Sequence, residues 1–212
     1  MQNPPICYIV CALPQSHTLS PESGDLVIAA DGGYAHMGSI RPDLVVGDFD
    51  SLGFVPEGET IVRHPREKDD TDTMLAAKIG IARGYRAFVL LGGVGGRIDH
   101  TLANIQTLAF LRENGARAAL LGEGETITLI RNEALRFRAG LSGTVSVFSL
   151  GEKALGVYER GLQYALNDAT LLDTNPLGVS NAFTGAPAEV SVREGRLVVL
   201  YAGLPQDCDL FG

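Results

Sequence analysis

Short apolar runs alternate with helical patterns along residues 1–122 of this chain. Several of the runs are apolar on both faces, which is typical of strands buried inside a parallel sheet. The predicted strands are ICYIVCAL (6–13), DLVIAA (25–30), DLVVG (43–47), TIVRH (60–64), YRAFVLLGG (85–93) and RAALLG (117–122). Strands that alternate with helices predict an α/β domain with a mostly parallel, doubly wound sheet.

Two longer segments carry the spacing of amphipathic helices, DDTDTMLAAKIGIARG (69–84) and RIDHTLANIQTLAFLRENG (97–115). The predicted buried stripes are Leu75, Ile79 and Ala82 in the first helix and Ile98, Leu102, Ile105 and Ala109 in the second. Acidic residues crowd the start of the first helix, where the helix dipole favours negative charge. A glycine follows each segment's last periodic residue and marks its expected end.

The pattern changes near the GEGE segment, residues 122–125, and helical spacing largely disappears beyond it. Apolar and polar residues alternate in ETITLIR (125–131), ALRFRAG (134–140) and GTVSVFSLG (143–151). AEVSVREGRLVVLYAG (188–203) predicts a hairpin that turns at Glu194 and Gly195. We therefore predict two domains, residues 1–122 and residues 125–212, the second a small antiparallel β-sandwich or barrel.

Composition narrows the classes of partner. The net charge is −8 and the pI about 5.0, which argues against a nucleic-acid surface because such a surface needs a basic face. For the charge alone, plain solubility is a better explanation than a site for a cationic substrate or a metal ion. Three cysteines give no disulfide framework, and no apolar stretch is long enough to span a membrane. We expect a cytoplasmic protein.

Carboxylates follow two of the predicted strands. LVIAA runs into Asp31, Gly32 and Gly33, and LVVG runs into Asp48 and Asp50. Ligands of open parallel sheets bind beyond the carboxyl ends of the strands, so these residues are expected to converge. On an extended backbone Asp48 and Asp50 would point to one side and Phe49 to the other.

A third acidic cluster, residues 68–72, lies at the start of the first helix and contains Lys68, Thr71 and Asp72. This cluster alone could simply cap its helix. If Asp72 joins Asp48 and Asp50, however, three like charges in one cleft require a cation. Oxygen ligands of this kind suit Mg²⁺, which binds through a few carboxylates, waters and phosphates.

The segment GGVGGR leads from a predicted strand directly into a helix. Glycines let the backbone approach phosphate closely, and a helix N-terminus offers N–H groups to an anion. Neither a Walker motif nor a dinucleotide fingerprint is present. The residues alone predict an Mg²⁺-dependent enzyme that transfers or hydrolyses a phosphoryl or pyrophosphoryl group, with the acceptor undetermined.

Taken together and in this order, the motifs resemble those of the thiamine pyrophosphokinase family. They are DGG (31–33), GDFDS (47–51), KDDTDT (68–73), LGGVGGRIDHTLANI (91–105), GLQYAL (161–166) and GVSN (178–181). The resemblance implies an α/β domain followed by a β-sandwich, and a homodimer with shared active sites. It also implies transfer of the terminal diphosphate of ATP to the hydroxyl of thiamine, giving thiamine diphosphate and AMP.

The resemblance further implies a role for each matched residue. Asp48, Asp50 and Asp72 are the implied Mg²⁺ ligands. The implied nucleotide and diphosphate contacts are Asp31, Gly32, Thr71, Gly92, Gly93, Gly95, Gly96, Arg97 and His100, although His100 could also be a packed or capping helix residue. Asp99, Arg97 and Lys68 are the implied catalytic residues, with Asp99 either orienting the thiamine hydroxyl or accepting its proton. Ser180 and Asn181 are implied thiamine contacts.

Two other functions compete with this one. The same site could serve another alcohol acceptor, such as a pterin alcohol, or the chain could be a non-catalytic nucleotide- or thiamine-binding regulator. The chain also departs from the family, because it has no Trp to stack on thiamine and carries Ala165 and Ala182 within the later motifs. Phe183 and Tyr158 are the aromatic alternatives for stacking.

Overall fold

The computed structural model describes residues 4–49, 54, 60–63 and 70–212. Three residues of the predicted site region, Asp50, Lys68 and Asp69, lie outside the described residues. By its internal contacts the chain divides into two compact units, Met1–Glu123 and Gly124–Gly212. No helix within the described ranges is both long and apolar enough to cross a membrane.

The first unit contains a parallel sheet of six strands, and all six predicted strands are present. They are β1 (Ile6–Val10), β2 (Leu26–Ala30), β3 (Leu44–Gly47), β4 (Ile61–Arg63), β5 (Ala87–Leu91) and β6 (Arg117–Leu121). Their order is β6-β5-β1-β2-β3-β4, and every pair is parallel. Tyr8 of β1 lies opposite Val27 on one side and Val89 on the other. The chain therefore builds outward from β1 to β4 and then returns to the far side of β1.

The two predicted helices are present as α1 (Asp72–Ala82) and α2 (Ile98–Glu113), but their predicted buried stripes are wrong. The buried residues are Thr73, Ala76, Ala77 and Gly80 in α1 and Asn104, Thr107, Leu108 and Leu111 in α2. Ile98 is 77% exposed and Leu102 is 58% exposed. Small side chains let α1 pack closely on the sheet, and Gly80 lies against Phe88 of β5. The buried polar residues of α2 are hydrogen-bonded, which removes the cost of their burial.

The second unit is a β-sandwich of two four-stranded antiparallel sheets. Its strands are β7 (Glu125–Arg131), β8 (Ala134–Phe137), β9 (Thr144–Ser149), β10 (Lys153–Arg160), β11 (Leu166–Leu172), β12 (Gly178–Ala182), β13 (Ala188–Glu194) and β14 (Arg196–Ala202). Within this unit the strand orders are β12-β9-β14-β7 and β11-β10-β13-β8. Phe137 packs edge-to-face against Phe183 and Tyr201 in the core, with ring centroids 5.0 Å apart in each pair.

The predicted hairpin at residues 188–203 is wrong, although its turn is present. Gly195 has a φ of 113°, but β13 and β14 do not pair with each other. β13 pairs with β8 and β10, whereas β14 pairs with β7 and β9. The turn therefore carries the chain from one sheet of the sandwich to the other. Both strands bury apolar residues, so their alternation alone does not say which strands they pair with.

Candidate active site

The carboxyl ends of β1 to β6 share one edge of the sheet because the strands are parallel, and α1 begins at that edge. Thr73, near the start of α1, lies 3.5 Å from Cys11, measured between Oγ1 and Sγ, and Cys11 follows the end of β1. Gly80, about two turns further along the helix, lies beside Cys7 near the other end of β1. The helix therefore runs antiparallel to the strands. Its first residue, Asp72, is at the same edge as the ends of the strands.

Asp31 is the most unusual residue at this edge. Its side chain is buried, with 6% of the residue exposed, and its Oδ1 accepts no hydrogen bond from the residues that the structure describes. Its φ of 43° lies in the left-handed region, which a non-glycine residue adopts at an energetic cost. Gly47 makes room for it, since a Cβ on Gly47 would lie 2.9 Å from the Cβ of Asp31. A buried carboxylate oxygen without a donor requires a cation, a ligand or a proton.

Asp48 follows β3 directly and is half-buried, whereas Asp50 lies outside the described residues. Phe49 between them is buried, as expected, but its φ of 65° is left-handed. The expectation of an extended backbone here is therefore wrong, and the argument that alternate residues point to one side does not apply. The chain turns at Phe49, and the ring of Phe49 is buried.

The predicted metal ligands are all carboxylates, the donors that Mg²⁺ prefers. Among the described residues no three carboxylates, imidazoles or thiols come close enough to hold a metal ion. The predicted trio includes Asp50, which is outside those residues. What the described part contributes is Asp48 and Asp72 at one edge of the sheet, with the orphaned oxygen of Asp31 at the same edge. This donor set fits a hard divalent cation.

The residues just before α1 have structural contacts. Thr71 is the N-cap of the helix, and its Oγ1 accepts a hydrogen bond of 3.2 Å from the backbone N–H of Met74. A threonine hydroxyl that accepts a hydrogen bond still has a hydrogen to donate, so capping is compatible with a phosphate contact. Asp70, just before the N-cap, forms a 2.6 Å ion pair with Lys78 of α1.

The glycine-rich loop after β5 is held closely against the end of β1. Gly92 has a φ of 65°, and a Cβ there would lie 2.3 Å from the backbone oxygen of Leu13. The next carbonyl, that of Gly93, accepts a 2.8 Å hydrogen bond from the buried side-chain amide of Asn104 on α2. No other residue fits at position 92 without moving the loop, so this glycine fixes where the loop begins.

The second half of the loop leads into the start of α2 and is fastened by Thr101, whose Oγ1 accepts a 3.2 Å hydrogen bond from the N–H of Gly95. Gly95 and Gly96 both have left-handed φ values, of 95° and 58°. The loop and the helix N-terminus thus form a backbone-lined surface that helix α2 supports from behind. Such a surface is suited to a phosphate group.

Arg97 and Asp99 form an ion pair at the start of α2. The guanidinium donates two hydrogen bonds, of 2.5 Å and 3.2 Å, to the two carboxylate oxygens, and the N–H of His100 donates a third of 3.0 Å. The bonds from Arg97 lower the pKa of Asp99, and Asp99 in turn raises the pKa of Arg97. Both side chains are exposed. In this arrangement Asp99 is a weaker base than an isolated aspartate.

In the β unit, Asn181 of the GVSN motif is buried and its side chain is fully engaged. Its Nδ2 donates to Oε2 of Glu159 at 2.5 Å and to the carbonyl of Tyr164 at 2.6 Å. Its Oδ1 accepts from the N–H groups of Tyr164 and Ala182, each at 2.9 Å. These contacts join β12 to the loop that carries Tyr164. The geometry favours a positioning role for Asn181 over direct contact with a ligand.

Ser180 and Tyr164, next to this network, are presented to solvent. Ser180 has a φ of 60° and its N–H donates to Ser146. Tyr164 is 62% exposed, although Asn181 holds its backbone on both sides. An exposed aromatic ring on a fixed backbone is suited to stacking on a flat ligand. Of the two stacking alternatives predicted from sequence, Phe183 is buried in the aromatic core and Tyr158 lies under the guanidinium of Arg160.

Glu159 and Tyr164 were missed as candidates by the sequence analysis. Glu159 is 1% exposed, and its Oε1 has no partner among the described residues, so burial raises its pKa while the bond from Asn181 lowers it. It lies in β10, a strand whose alternation is broken at Gly156, which has a φ of 64°. The available signal was the position of Glu159 two residues after the buried Val157, on the inward face. Tyr164 lies in the GLQYAL motif (161–166), but the motif alone does not indicate a role for it.

Comparisons with known proteins agree with this architecture. The family model of the thiamin pyrophosphokinase catalytic domain matches residues 19–120, and the model of the vitamin B1 binding domain of the same enzyme matches residues 127–197. The comparison with curated proteins finds no match.

Solved structures with the same fold come from bacteria and yeast. Thiamine pyrophosphokinase from Bacillus subtilis superposes with a TM-score of 0.80 at 21% identity, covering 93% of this chain and 98% of that one. A thiamin pyrophosphokinase family protein from Enterococcus faecalis gives 0.79 at 25% identity, covering 94% and 99%. Yeast thiamin pyrophosphokinase gives 0.75 at 16% identity, covering 96% and 88%. The predicted fold class, an α/β sheet followed by an all-β part, is thereby confirmed.

The two domain models match in the order in which the motifs predicted them, and together they account for most of the chain. The chain therefore belongs to the thiamin pyrophosphokinase family, and its activity is the ATP-dependent pyrophosphorylation of thiamine.

Proposed function

We propose that the carboxyl edge of the parallel sheet transfers the terminal diphosphate of ATP to the hydroxyl of thiamine, releasing AMP. One observation supports placing the reaction at this edge of the sheet. The buried Oδ1 of Asp31, which has no partner among the described residues, the glycine-rich loop and the start of α1 with Asp72 all belong to one edge of one sheet. Such an edge supplies anionic ligands for a cation and N–H groups for phosphate.

For the metal, we propose that Asp48, Asp50 and Asp72 hold Mg²⁺. Bound Mg²⁺ would supply positive charge that neutralises the phosphate oxygens as the diphosphate transfers. Asp31 is suited to support the three proposed ligands, because its side chain is buried and packed closely against Gly47. Its Oδ1, which has no partner among the described residues, would be available to support the cation or a water beside it.

For the diphosphate, we propose the loop Gly92–Gly96 and the start of α2 as the cradle. The N–H groups of a helix N-terminus attract anions, and Arg97 adds a planar charge that matches phosphate oxygens. Gly32, Thr71, His100 and Lys68 complete the proposed set of contacts. Attack on phosphorus needs little covalent assistance, so alignment and charge neutralisation are sufficient tasks for these residues.

For the acceptor, we propose that Asp99 orients the thiamine hydroxyl. A carboxylate whose pKa is lowered by Arg97 holds its charge and accepts a hydrogen bond well, but it takes up a proton poorly. A base role would require Arg97 to leave Asp99 for the phosphates, which would raise the pKa of Asp99. These two roles therefore predict different pH profiles.

The β unit is the proposed holder of thiamine. Ser180 supplies a hydroxyl and Tyr164 an exposed ring, while Asn181 holds the backbone of Tyr164 and Ser146 accepts a hydrogen bond from the N–H of Ser180. The positive thiazolium ring suits a chain whose net charge is −8. We further propose a homodimer with shared active sites, located in the cytoplasm, where the free cysteines would stay reduced.

The product assay tests the proposal as a whole. Incubation with ATP, Mg²⁺ and thiamine should give AMP and thiamine diphosphate in equal amounts, with no ADP. A panel of other alcohols, including a pterin alcohol, should give no product. Formation of ADP, or AMP release that does not depend on thiamine, would contradict the proposed reaction. Nucleotide binding without any product would instead favour a regulator.

A further inference from the structure

The loop that carries Tyr164 lies alongside β12, and two neighbouring residues of this loop are held in different ways. The N–H of Gln163 donates a 2.9 Å hydrogen bond to the backbone carbonyl of Ala182. Tyr164, the next residue, is held by a side chain instead, because the amide of Asn181 bonds to both its N–H and its carbonyl. The placement of Tyr164 therefore depends on how the amide of Asn181 is oriented.

One orientation of this amide satisfies all four of its contacts. Its Oδ1 accepts from the N–H groups of Tyr164 and Ala182, whereas its Nδ2 donates to the carbonyl of Tyr164 and to Oε2 of Glu159. Turning the amide over would set Nδ2 against two N–H groups and Oδ1 against two oxygens. Glu159 thus supplies one of the two acceptors that fix the amide.

Glu159 occupies a position in the sandwich where an apolar side chain would be expected. It is 1% exposed, and its neighbours Val157 on β10 and Val190, its cross-strand partner on β13, are fully buried. A buried carboxyl group destabilises a fold unless it is hydrogen-bonded. Its Oε1 has no partner in the part of the chain that the structure describes, so the carboxyl group is explained by the bond that Oε2 accepts from Asn181.

We propose that Glu159 is a positioning residue for thiamine, which orients the amide of Asn181 so that this amide holds Tyr164 for stacking on the ligand. The inference rests on the proposed function, because that function gives the exposed ring of Tyr164 its ligand. Glu159 does not touch thiamine and acts through Asn181. Without the acceptor, one hydrogen on Nδ2 of Asn181 is buried and unsatisfied, which favours rotation of the side chain away from Tyr164.

Two substitutions at Glu159 separate the acceptor from the shape of the side chain. Glu159→Met fills a similar volume without a strong acceptor, whereas Glu159→Gln keeps an oxygen that can accept from Asn181. Glu159→Met should weaken thiamine binding about three- to tenfold, the contribution of one aromatic contact, and Glu159→Gln should bind thiamine normally. Glu194→Met, the same change at the exposed end of β13, is the matched control and should have no effect.

Amide hydrogen exchange of the full chain, followed by NMR, measures the positioning without a ligand. In Glu159→Met the N–H of Tyr164 should exchange faster, whereas the N–H of Gln163 should be unaffected because a backbone carbonyl holds it. Glu159→Gln should restore slow exchange at Tyr164. Unchanged exchange at Tyr164 in Glu159→Met overturns the proposal. Equal acceleration at both residues also overturns it, because Glu159 would then support the fold alone.

Calorimetric titration with thiamine, and separately with ATP, in the presence of Mg²⁺ tests the link to the ligand. Loss of affinity for thiamine but not for ATP in Glu159→Met, with recovery in Glu159→Gln, supports the proposal. Equal affinities for thiamine in Glu159→Met and the unaltered protein overturn it. Failure of the unaltered protein to bind thiamine overturns it as well.

Turnover separates this proposal from the proposed function. If the unaltered protein makes thiamine diphosphate and Glu159→Met binds thiamine normally, the reaction assignment stands and the positioning role is overturned. If the unaltered protein binds thiamine but makes no thiamine diphosphate, the proposed reaction fails, and selective loss of thiamine affinity in Glu159→Met still supports the positioning role. A lower kcat with both KM values unchanged would indicate fewer folded molecules and would overturn that role.

Discussion

In the α/β unit the candidate side chains Arg97 and Asp99 are exposed at a helix start, whereas in the β unit Asn181 and Glu159 are buried between strands. The side chains of Arg97 and Asp99 contact chiefly each other, whereas Thr101 and Asn104 hold the backbone of the preceding glycine-rich loop. Asn181 instead forms part of the packing that holds its own loop. In the first unit, therefore, the proposed functional side chains are not the ones that hold the backbone. In the second unit, Asn181 belongs to a candidate motif and also holds the backbone.

This difference predicts which substitutions change the rate and which change stability. At the sheet edge, exposed residues can be changed at little cost to folding, because they bury little and support nothing. In the β unit, a change at Asn181 removes several buried hydrogen bonds at once. Substitutions of exposed site residues in the first unit should therefore change mainly the reaction rate, and substitution of Asn181 in the second unit should change mainly the stability.

The largest effect is expected at the proposed metal ligands. Asp48→Asn should reduce kcat about a thousandfold or more, because it removes a charged ligand whose metal contributes several kcal/mol to the transition state. Because asparagine keeps the size of the side chain and much of its hydrogen-bonding capacity, the midpoint of thermal unfolding without Mg²⁺ should change little. Asp173→Asn, at an exposed acid of the β unit, is the control and should retain full activity. An Asp48→Asn enzyme with near-normal turnover would remove Asp48 from the proposed site.

The next largest effect is expected on stability in the β unit. Asn181→Ala leaves Glu159 and the backbone of Tyr164 without their partners and should lower the free energy of unfolding by about 3 kcal/mol. Asn167→Ala, at an exposed position of β11, should change it by less than about 0.5 kcal/mol. Urea unfolding of both variants measures the difference. Equal stabilities would show that the Asn181 network does not support the fold.

A smaller effect is expected on the titration of Asp99. Arg97→Met removes the hydrogen bonds that are the main cause of its lowered pKa, so the pKa of Asp99 should rise toward its ordinary value. The carboxyl carbon resonance of Asp99, followed by NMR across the acid range, reports this directly. Arg193→Met breaks a similarly exposed ion pair, with Asp168, and should leave the titration of Asp99 unchanged. An unshifted Asp99 in Arg97→Met would mean that the ion pair does not persist in solution.

The smallest effect is expected from Glu159. Burial raises its pKa in the folded protein above the ordinary value of 4.5. The favourable contribution of the neutral form is complete below that ordinary value and is lost as the pH rises through the folded pKa. Glu159→Gln cannot ionise and should flatten the fall in stability above pH 4.5. Parallel pH–stability curves for the two proteins would show that Glu159 does not titrate differently on folding.

The elements of the α/β unit were predictable because each strand is a short apolar run, and because β2, β3, β5 and β6 run into glycine or an acid. The buried faces of the helices were not. Ala76, Ala77 and Gly80 face the sheet because they are small, whereas the larger Ile98 and Leu102 of α2 are exposed. The spacing of apolar residues shows only where hydrophobic side chains lie. Close packing on a sheet also favours small side chains and hydrogen-bonded polar ones such as Asn104.

The candidate site, too, was only partly predictable from the sequence. Its residues were identified from acids and glycines at strand ends, yet their conformations were not. Asp31, Phe49 and Ser180, one in each of three motifs, are left-handed, which a pattern of residue types does not reveal. Glu159 escaped detection because a bulge in β10 obscures its alternation. Strand pairing in the β unit was likewise undetermined, since β13 and β14 bury residues in the same core from different sheets.

The most direct test of the central assignment follows phosphorus from ATP to thiamine. ATP labelled at either its β or its γ phosphorus is incubated with the protein, Mg²⁺ and thiamine, and the labelled products are separated. If the sheet edge transfers an intact diphosphate, both labels appear in thiamine diphosphate and AMP carries neither. Thiamine phosphate that carries the γ label alone, with the β label retained in ADP, would contradict the account.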